Sequence, residues 1–181
     1  RGHKIFLDLK LHDIPNTVGR SMAVLSGLDV DICNLHAAGG SEMMRAAVKG
    51  LTREDGSRPL LIAVTMLTSI DEERMNGELG IRGSLPDTVM KYALCARDSG
   101  LDGVVCSPLE AQAVHETCGE GFLTVTPGIR FSGGAEGDQK RVTTPARARE
   151  IGSDYIVVGR PITAAADPVE AYRRCVAEFV G

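Results

Sequence analysis

The chain has 181 residues, of which 43% are hydrophobic, 24% charged and 4% aromatic, with no tryptophan; this globular composition excludes a disordered or collagen-like chain and suits one domain. Its 20 lysines and arginines against 24 aspartates and glutamates leave a formal charge of -4, so no broad basic field exists to gather nucleic acid. Five cysteines without a C-x-x-C pair, no apolar run near the roughly 18 residues of a membrane span, and no signal-peptide pattern lead us to expect a cytoplasmic protein with reduced thiols and no membrane partner.

In chain order, apolar runs rich in β-branched residues predict strands at 5–9, 31–36, 60–66, 103–106, 122–126 and 155–158. Helical patterns fill the intervals, at 16–28, 42–51, 87–98, 109–118, 146–151 and 168–179. Pro86 at a start and Gly100 at an end punctuate them as helices prefer. Strict alternation predicts a parallel sheet with right-handed crossovers, built from six βα units. No G-x-G-x-x-G follows the first strand and no G-x-x-x-x-G-K-[ST] occurs, so the open nucleotide-binding sheets lack their fingerprints. The remaining α/β architecture is a (β/α)8 TIM barrel, normally about 250 residues long. The expectation is one barrel domain over 1–181 that lacks two βα units, with no internal repeat.

The first strand carries the most chemistry. Side chains on a strand alternate faces, which puts Asp8 and Lys10 on one side and Ile5, Leu7 and Leu9 on the other. With the apolar side against outer helices, the charged pair points into the barrel near the strand ends, where such folds place catalytic groups. An isolated D-x-K is as often a solvated ion pair; an inward position in an apolar strand favours chemistry. Among carboxylates, Lys10 is expected to be a protonated ammonium, hence a proton donor and not a Schiff-base nucleophile, which must be neutral. Such a group suits a carbanion that is protonated where it forms. Asp13, three residues on and before Pro15, is placed to approach the barrel mouth or a neighbouring subunit.

The last two strands suggest an anion. Thr126-Pro127-Gly128-Ile129-Arg130 opens a glycine-rich loop that runs through Gln139, and Gly159-Arg160-Pro161-Ile162 follows the final strand. Barrels build phosphate sites after these strands from glycine turns, guanidinium groups and a short helix start. Either arginine alone would read as a surface charge; their matching positions favour a shared phosphate. Hydroxyls at Thr65, Thr68 and Ser69 suit a polar ring or simply close a strand. His36 is either a site residue or, the favoured reading, a hydrogen-bonded strand-end histidine, and Met43 and Met44 are expected to be helix core. The histidines and acids form no ligand cluster in sequence, so no metal is implied.

The strings Phe6-Leu-Asp8-Leu-Lys10-Leu-His-Asp13-Ile14-Pro15-Asn16-Thr17, Asn34-Leu-His36-Ala-Ala-Gly-Gly40, Val64-Thr-Met-Leu-Thr68-Ser, Thr126-Pro127-Gly-Ile-Arg130, Gly137-Asp-Gln139 and Val158-Gly159-Arg160 together closely resemble the orotidine 5'-phosphate decarboxylase family. The resemblance implies cofactor-free decarboxylation of orotidine 5'-monophosphate to uridine 5'-monophosphate, in pyrimidine biosynthesis. It implies that Lys10 protonates C6 as carbon dioxide leaves, and that Asp8 flanks the substrate carboxylate and holds Lys10. Asp13, Ile14 and Thr17 would reach the partner's site in a homodimer. Thr68 would contact the pyrimidine, Pro127 would line the pocket, and Arg130, Gln139, Gly159 and Arg160 would hold the phosphate of a phosphate-binding domain. The family's first two strands supply a ribose-binding aspartate and a second lysine, and this sequence begins at the third; the 181 residues alone are therefore expected to be inactive. The alternatives are a magnesium-dependent sugar-phosphate decarboxylase or synthase on the same scaffold, against which H-D-I-P-N-T argues, and a catalytically dead nucleotide-binding fragment.

Overall fold

The computed structural model describes residues 2–132 and 142–181. Six strands are joined in the order β1-β2-β3-β4-β5-β6, so each strand's neighbours in sequence are its neighbours in the sheet, as successive βα units dictate. They are β1 (Phe6–Leu11), β2 (Ile32–His36), β3 (Leu60–Val64), β4 (Gly103–Val105), β5 (Leu123–Thr126) and β6 (Tyr155–Ile156), and they alternate with α1 (Pro15–Ser26), α2 (Gly40–Leu51), α3 (Glu72–Gly77), α4 (Leu85–Asp98), α5 (Ala111–Cys118), α6 (Pro145–Ile151), α7 (Arg160–Thr163) and α8 (Pro168–Phe179). All six predicted strands and all six predicted long helices are present. The unforeseen α3 is set by Asp71, whose carboxylate accepts the Arg74 N–H at 3.0 Å, with Glu72 and Glu73 in the first turn. No helix among the described residues is long and apolar enough to cross a membrane.

The chain gathers into two compact units. One comprises residues 1–65 and 89–104, the other 66–88 and 105–181. In the first, β2 and β3 run parallel in unbroken register from Ile32↔Leu60 to His36↔Val64, and Cys33, Leu35, Leu61, Ile62 and Ala63 are fully buried. Helix α2 buries Met43, Met44, Ala47 and Leu51 on one face, at the spacing of an amphipathic helix. A Cβ on Gly50 would stand 2.1 Å from the Gly19 carbonyl oxygen, so α1 and α2 meet backbone to backbone and alanine at 50 is excluded. In the second unit, β5 and β6 pair in parallel through Val125↔Tyr155 and Thr126↔Ile156, and Ala111, Val114, Phe122, Val125, Ile129 and Ala148 form buried core.

The strand entrances repeat one device. Asp31, just before β2, accepts the Ile5 N–H at 2.7 Å; Asp102, before β4, accepts the Leu61 N–H at 2.7 Å; Asp154, before β6, accepts the Thr124 N–H at 2.7 Å. The N–H at the start of a parallel strand would otherwise lack a strong acceptor, and the carboxylate supplies one. The device recurs every second βα unit and is a structural repeat that no sequence period announces. Arg58 grips Asp102 with both terminal nitrogens, and the buried His115 lies 3.3 Å from Asp154.

Candidate active site

Asp8 and Lys10 meet as expected, Nζ to Oδ1 at 2.6 Å, yet not by simple alternation. The β1–β2 register runs Phe6↔Ile32, Leu7↔Cys33 and then Leu11↔Leu35, so four steps on β1 face two on β2. Ile5 is 48% and Leu9 50% exposed, which corrects the expectation that Ile5, Leu7 and Leu9 share a covered face. Lys10 absorbs the irregularity with φ +53°, the one non-glycine positive φ among the described residues, a conformation that costs a branched-free side chain about 1–3 kcal/mol. Bulges re-aim side chains near active sites, and here one turns Asp8 and Lys10 toward each other.

Asn34, on β2, completes the cluster. Fully buried, it donates from Nδ2 to Asp8 Oδ1 at 2.6 Å and accepts the Lys10 backbone N–H on Oδ1 at 2.7 Å. Asp8 Oδ1 thus receives two donors, while Oδ2 makes no hydrogen bond among the described residues. Burial raises the Asp8 pKa, but the hydrogen bonds from Lys10 and Asn34 and the charges of Lys10 and His36 outweigh it and hold the carboxyl below its ordinary value. The sequence reading assigned Asn34 no role. The available signal was a polar residue inside the apolar run Ile32-Cys33-Asn34-Leu35-His36, since a buried amide must find partners.

His36 is half-buried and stacks at a tilt against His12, with ring centroids 5.6 Å apart. Burial, with the charges of His12 and Lys10, lowers the pKa of the His36 ring against the pull of Asp8. It makes no hydrogen bond among the described residues, contrary to the expected bonded strand-end histidine. Asp13 does not join the Asp8–Lys10 pair; its Oδ1 accepts the Ile14 N–H at 2.6 Å. Asp13, Ile14 and Thr17 are all exposed around the start of α1.

The remaining expected residues belong to the second unit. Thr68 is buried and Pro127 half-buried. Arg130 turns Nη1 onto the Ile129 carbonyl at 2.7 Å, and its N–H donates to the Thr143 carbonyl at 2.9 Å, so the chain is pinned on both sides of 133–141. Gly159 caps α7, its carbonyl accepting the Thr163 N–H at 3.0 Å, and Arg160 is exposed on the first turn. Gln139 lies outside the described residues, as does most of the loop that begins at Arg130. Among the described residues no three His, Cys, Asp or Glu side chains gather as a metal site.

The sequence matches the family described as "Orotidine 5'-phosphate decarboxylase / HUMPS family" over residues 1–175. Proteins described as orotidine 5'-phosphate decarboxylase from Bacillus cereus strain Q1 and Bacillus mycoides strain KBAB4 are each 56% identical over 184 aligned residues, which cover the whole chain and 77% of each relative. The crystal structure of orotidine 5'-phosphate decarboxylase from Lactobacillus acidophilus is similar at 46% identity and TM-score 0.85, over 99% of this chain and 77% of that one. The enzyme of that name from Pyrococcus horikoshii OT3, at 24% identity, shares the fold with TM-score 0.74 over 99% of this chain and 76% of its own. The α/β fold of six parallel strands is thus shared with these decarboxylases over the matched part of their length, and the chain belongs to the orotidine 5'-phosphate decarboxylase / HUMPS family.

Proposed function

We infer that the protein is a carboxy-lyase that converts orotidine 5'-monophosphate to uridine 5'-monophosphate and carbon dioxide, a step of pyrimidine biosynthesis, without a cofactor. The observation that carries this reading is the Lys10–Asp8 pair, joined at 2.6 Å in a chain of this family. In the proposed reaction the substrate carboxylate lies beside Asp8. The C6–carboxylate bond breaks, its electron pair stays on C6, and the Lys10 ammonium gives its proton to that carbon. Ammonium charge close to the developing carbanion stabilises the transition state more than the ground state, which is what accelerates a reaction. Asp8 holds Nζ in place.

Thr68 and Pro127 are assigned to the pyrimidine, and Arg130, Gln139, Gly159 and Arg160 to the phosphate. Binding energy at the phosphate then serves the distant ring. Asp13, Ile14 and Thr17 are assigned to the partner's site in a homodimer; their exposure beside Lys10 supports that reading. The enzyme acts in the cytoplasm and needs neither nucleic acid nor membrane.

The test is turnover of orotidine 5'-monophosphate by the full-length gene product with a metal chelator present. Release of carbon dioxide and uridine 5'-monophosphate at an undiminished rate is expected. Turnover that requires added magnesium, or none at all, would overturn the reading.

A further inference from the structure

We propose that Asn34 is a positioning residue of the decarboxylation, one that sets both the carboxylate of Asp8 and the backbone of Lys10 through a single buried amide. The proposal rests on the decarboxylase reading above and extends it to a residue that touches no reacting atom.

Three observations converge on it. The β1 bulge takes the Lys10 N–H off the regular ladder with β2, and Asn34 Oδ1 replaces the lost backbone acceptor at 2.7 Å. That bond supports a residue at φ +53°, a backbone state that persists only where surroundings over-determine it. Through Nδ2 the same amide holds Asp8 Oδ1 at 2.6 Å, the oxygen that also receives Lys10 Nζ. Asp8 and Lys10 are 47% and 38% exposed at their side chains, so solvent alone would leave a flexible lysine stem free among its rotamers. Asn34 is fully buried between the covered Cys33 and Leu35 and transmits the rigidity of β2 to an otherwise loose pair.

The position needs one donor and one acceptor. Aspartate at 34 would accept the Lys10 N–H but set a second carboxylate against Asp8, and two such groups cannot both ionise freely. Alanine would leave the Lys10 N–H without its acceptor and Asp8 without its buried donor. The titratable groups near the position are Asp8 and Lys10 on β1, His36 on its own strand and His12 beside that ring; its register partner on β3 is the apolar Ile62.

The variants are made in the full-length protein and assayed with orotidine 5'-monophosphate for kcat and KM across about pH 5 to 8, beside thermal unfolding. Small displacements of a catalytic group cost up to about a hundredfold. Asn34→Ala should lower kcat about 10- to 100-fold with KM changed less than about threefold, because the residues assigned to the phosphate are untouched. Asn34→Asp should be impaired at pH 8 and recover relative to wild type as pH falls, since a protonated carboxyl again offers one donor and one acceptor. Recovery within one sample shows that the fold was intact throughout. A folded Asn34→Ala enzyme within twofold of wild-type kcat, or an Asn34→Asp to wild-type ratio flat with pH, would overturn the proposal while the decarboxylase reading stands. A wild-type protein without turnover would overturn both.

Discussion

Two ion pairs in the first unit have the same chemistry and opposite designs. Arg58 and Asp102, at the entrances of β3 and β4, are 20% and 24% exposed at their side chains and bonded through both terminal nitrogens and both carboxylate oxygens. Arg58 also donates to the Pro59 carbonyl at 3.1 Å and the Gly100 carbonyl at 3.2 Å, while Asp102 takes the Leu61 N–H at 2.7 Å. The Lys10–Asp8 pair is nearly twice as exposed, sits on a bulge, and keeps Asp8 Oδ2 outside every hydrogen bond among the described residues. A pair bonded in this way holds the sheet together. Spare hydrogen-bonding capacity on a fixed scaffold, and not the ion pair itself, is what distinguishes the candidate site from a brace.

That contrast breaks most sharply at Lys10. Lys10→Ala should lose at least the roughly 100- to 10,000-fold that a positioned proton donor contributes, with an unfolding midpoint close to wild type, because an exposed pair contributes at most about 1 kcal/mol. A variant retaining a tenth of wild-type turnover would remove Lys10 from the chemistry. Asp102→Ala should do the reverse. It strands a mostly buried guanidinium and the Leu61 N–H, and should cost about 3 kcal/mol in urea unfolding, with kcat of the folded fraction preserved.

Arg160→Ala tests the proposed phosphate contact. Loss of a charge-assisted contact, worth about 1.5–3 kcal/mol, should lower kcat/KM for orotidine 5'-monophosphate about 10- to 100-fold and leave the unphosphorylated nucleoside nearly unaffected. Equal losses for both substrates would take Arg160 off the phosphate. The smallest effects are those of pH on stability. The Asp8 pKa is lowered in the folded state, so its contribution is present above the unfolded value and fades as pH falls through the folded one; Asp8→Asn should flatten the acid limb of the unfolding midpoint slightly. Burial pushes the Cys33 thiol up to about 11. Between its ordinary value of 9.0 and about 11 the unfolded chain loses that proton while the folded one keeps it, so stability declines over that window. Cys33→Ala should lessen the decline in alkaline unfolding curves.

Local pattern was enough for the order of elements. Apolar runs and helix punctuation are properties of neighbouring residues, and they located all six predicted strands and all six predicted helices; α3 escaped because Glu72-Glu73-Arg74-Met75-Asn76-Gly77 carries a single apolar residue, although Asp71 and the acids after it marked its start. The pairing of Asp8 with Lys10 was legible for a reason only half right. Alternation placed them on one face, whereas the structure brings them together through a bulge, which depends on how many residues β2 sets opposite β1 and so is written in no single segment.

The family, and with it the chemistry expected of Lys10, was determined by the sequence alone, because D-x-K-x-H-D-I-P-N-T is a contiguous string whose residue types carry their meaning wherever they are folded. Only the tertiary structure decided that Asn34 binds both members of the pair, that Asp31, Asp102 and Asp154 share one task, and that Arg58 braces while Lys10 stays open. Each of these is a hydrogen bond or ion pair between residues 24 to 44 positions apart. Such a partnership exists only once parallel strands have set the distance and direction between groups that the linear chain leaves independent.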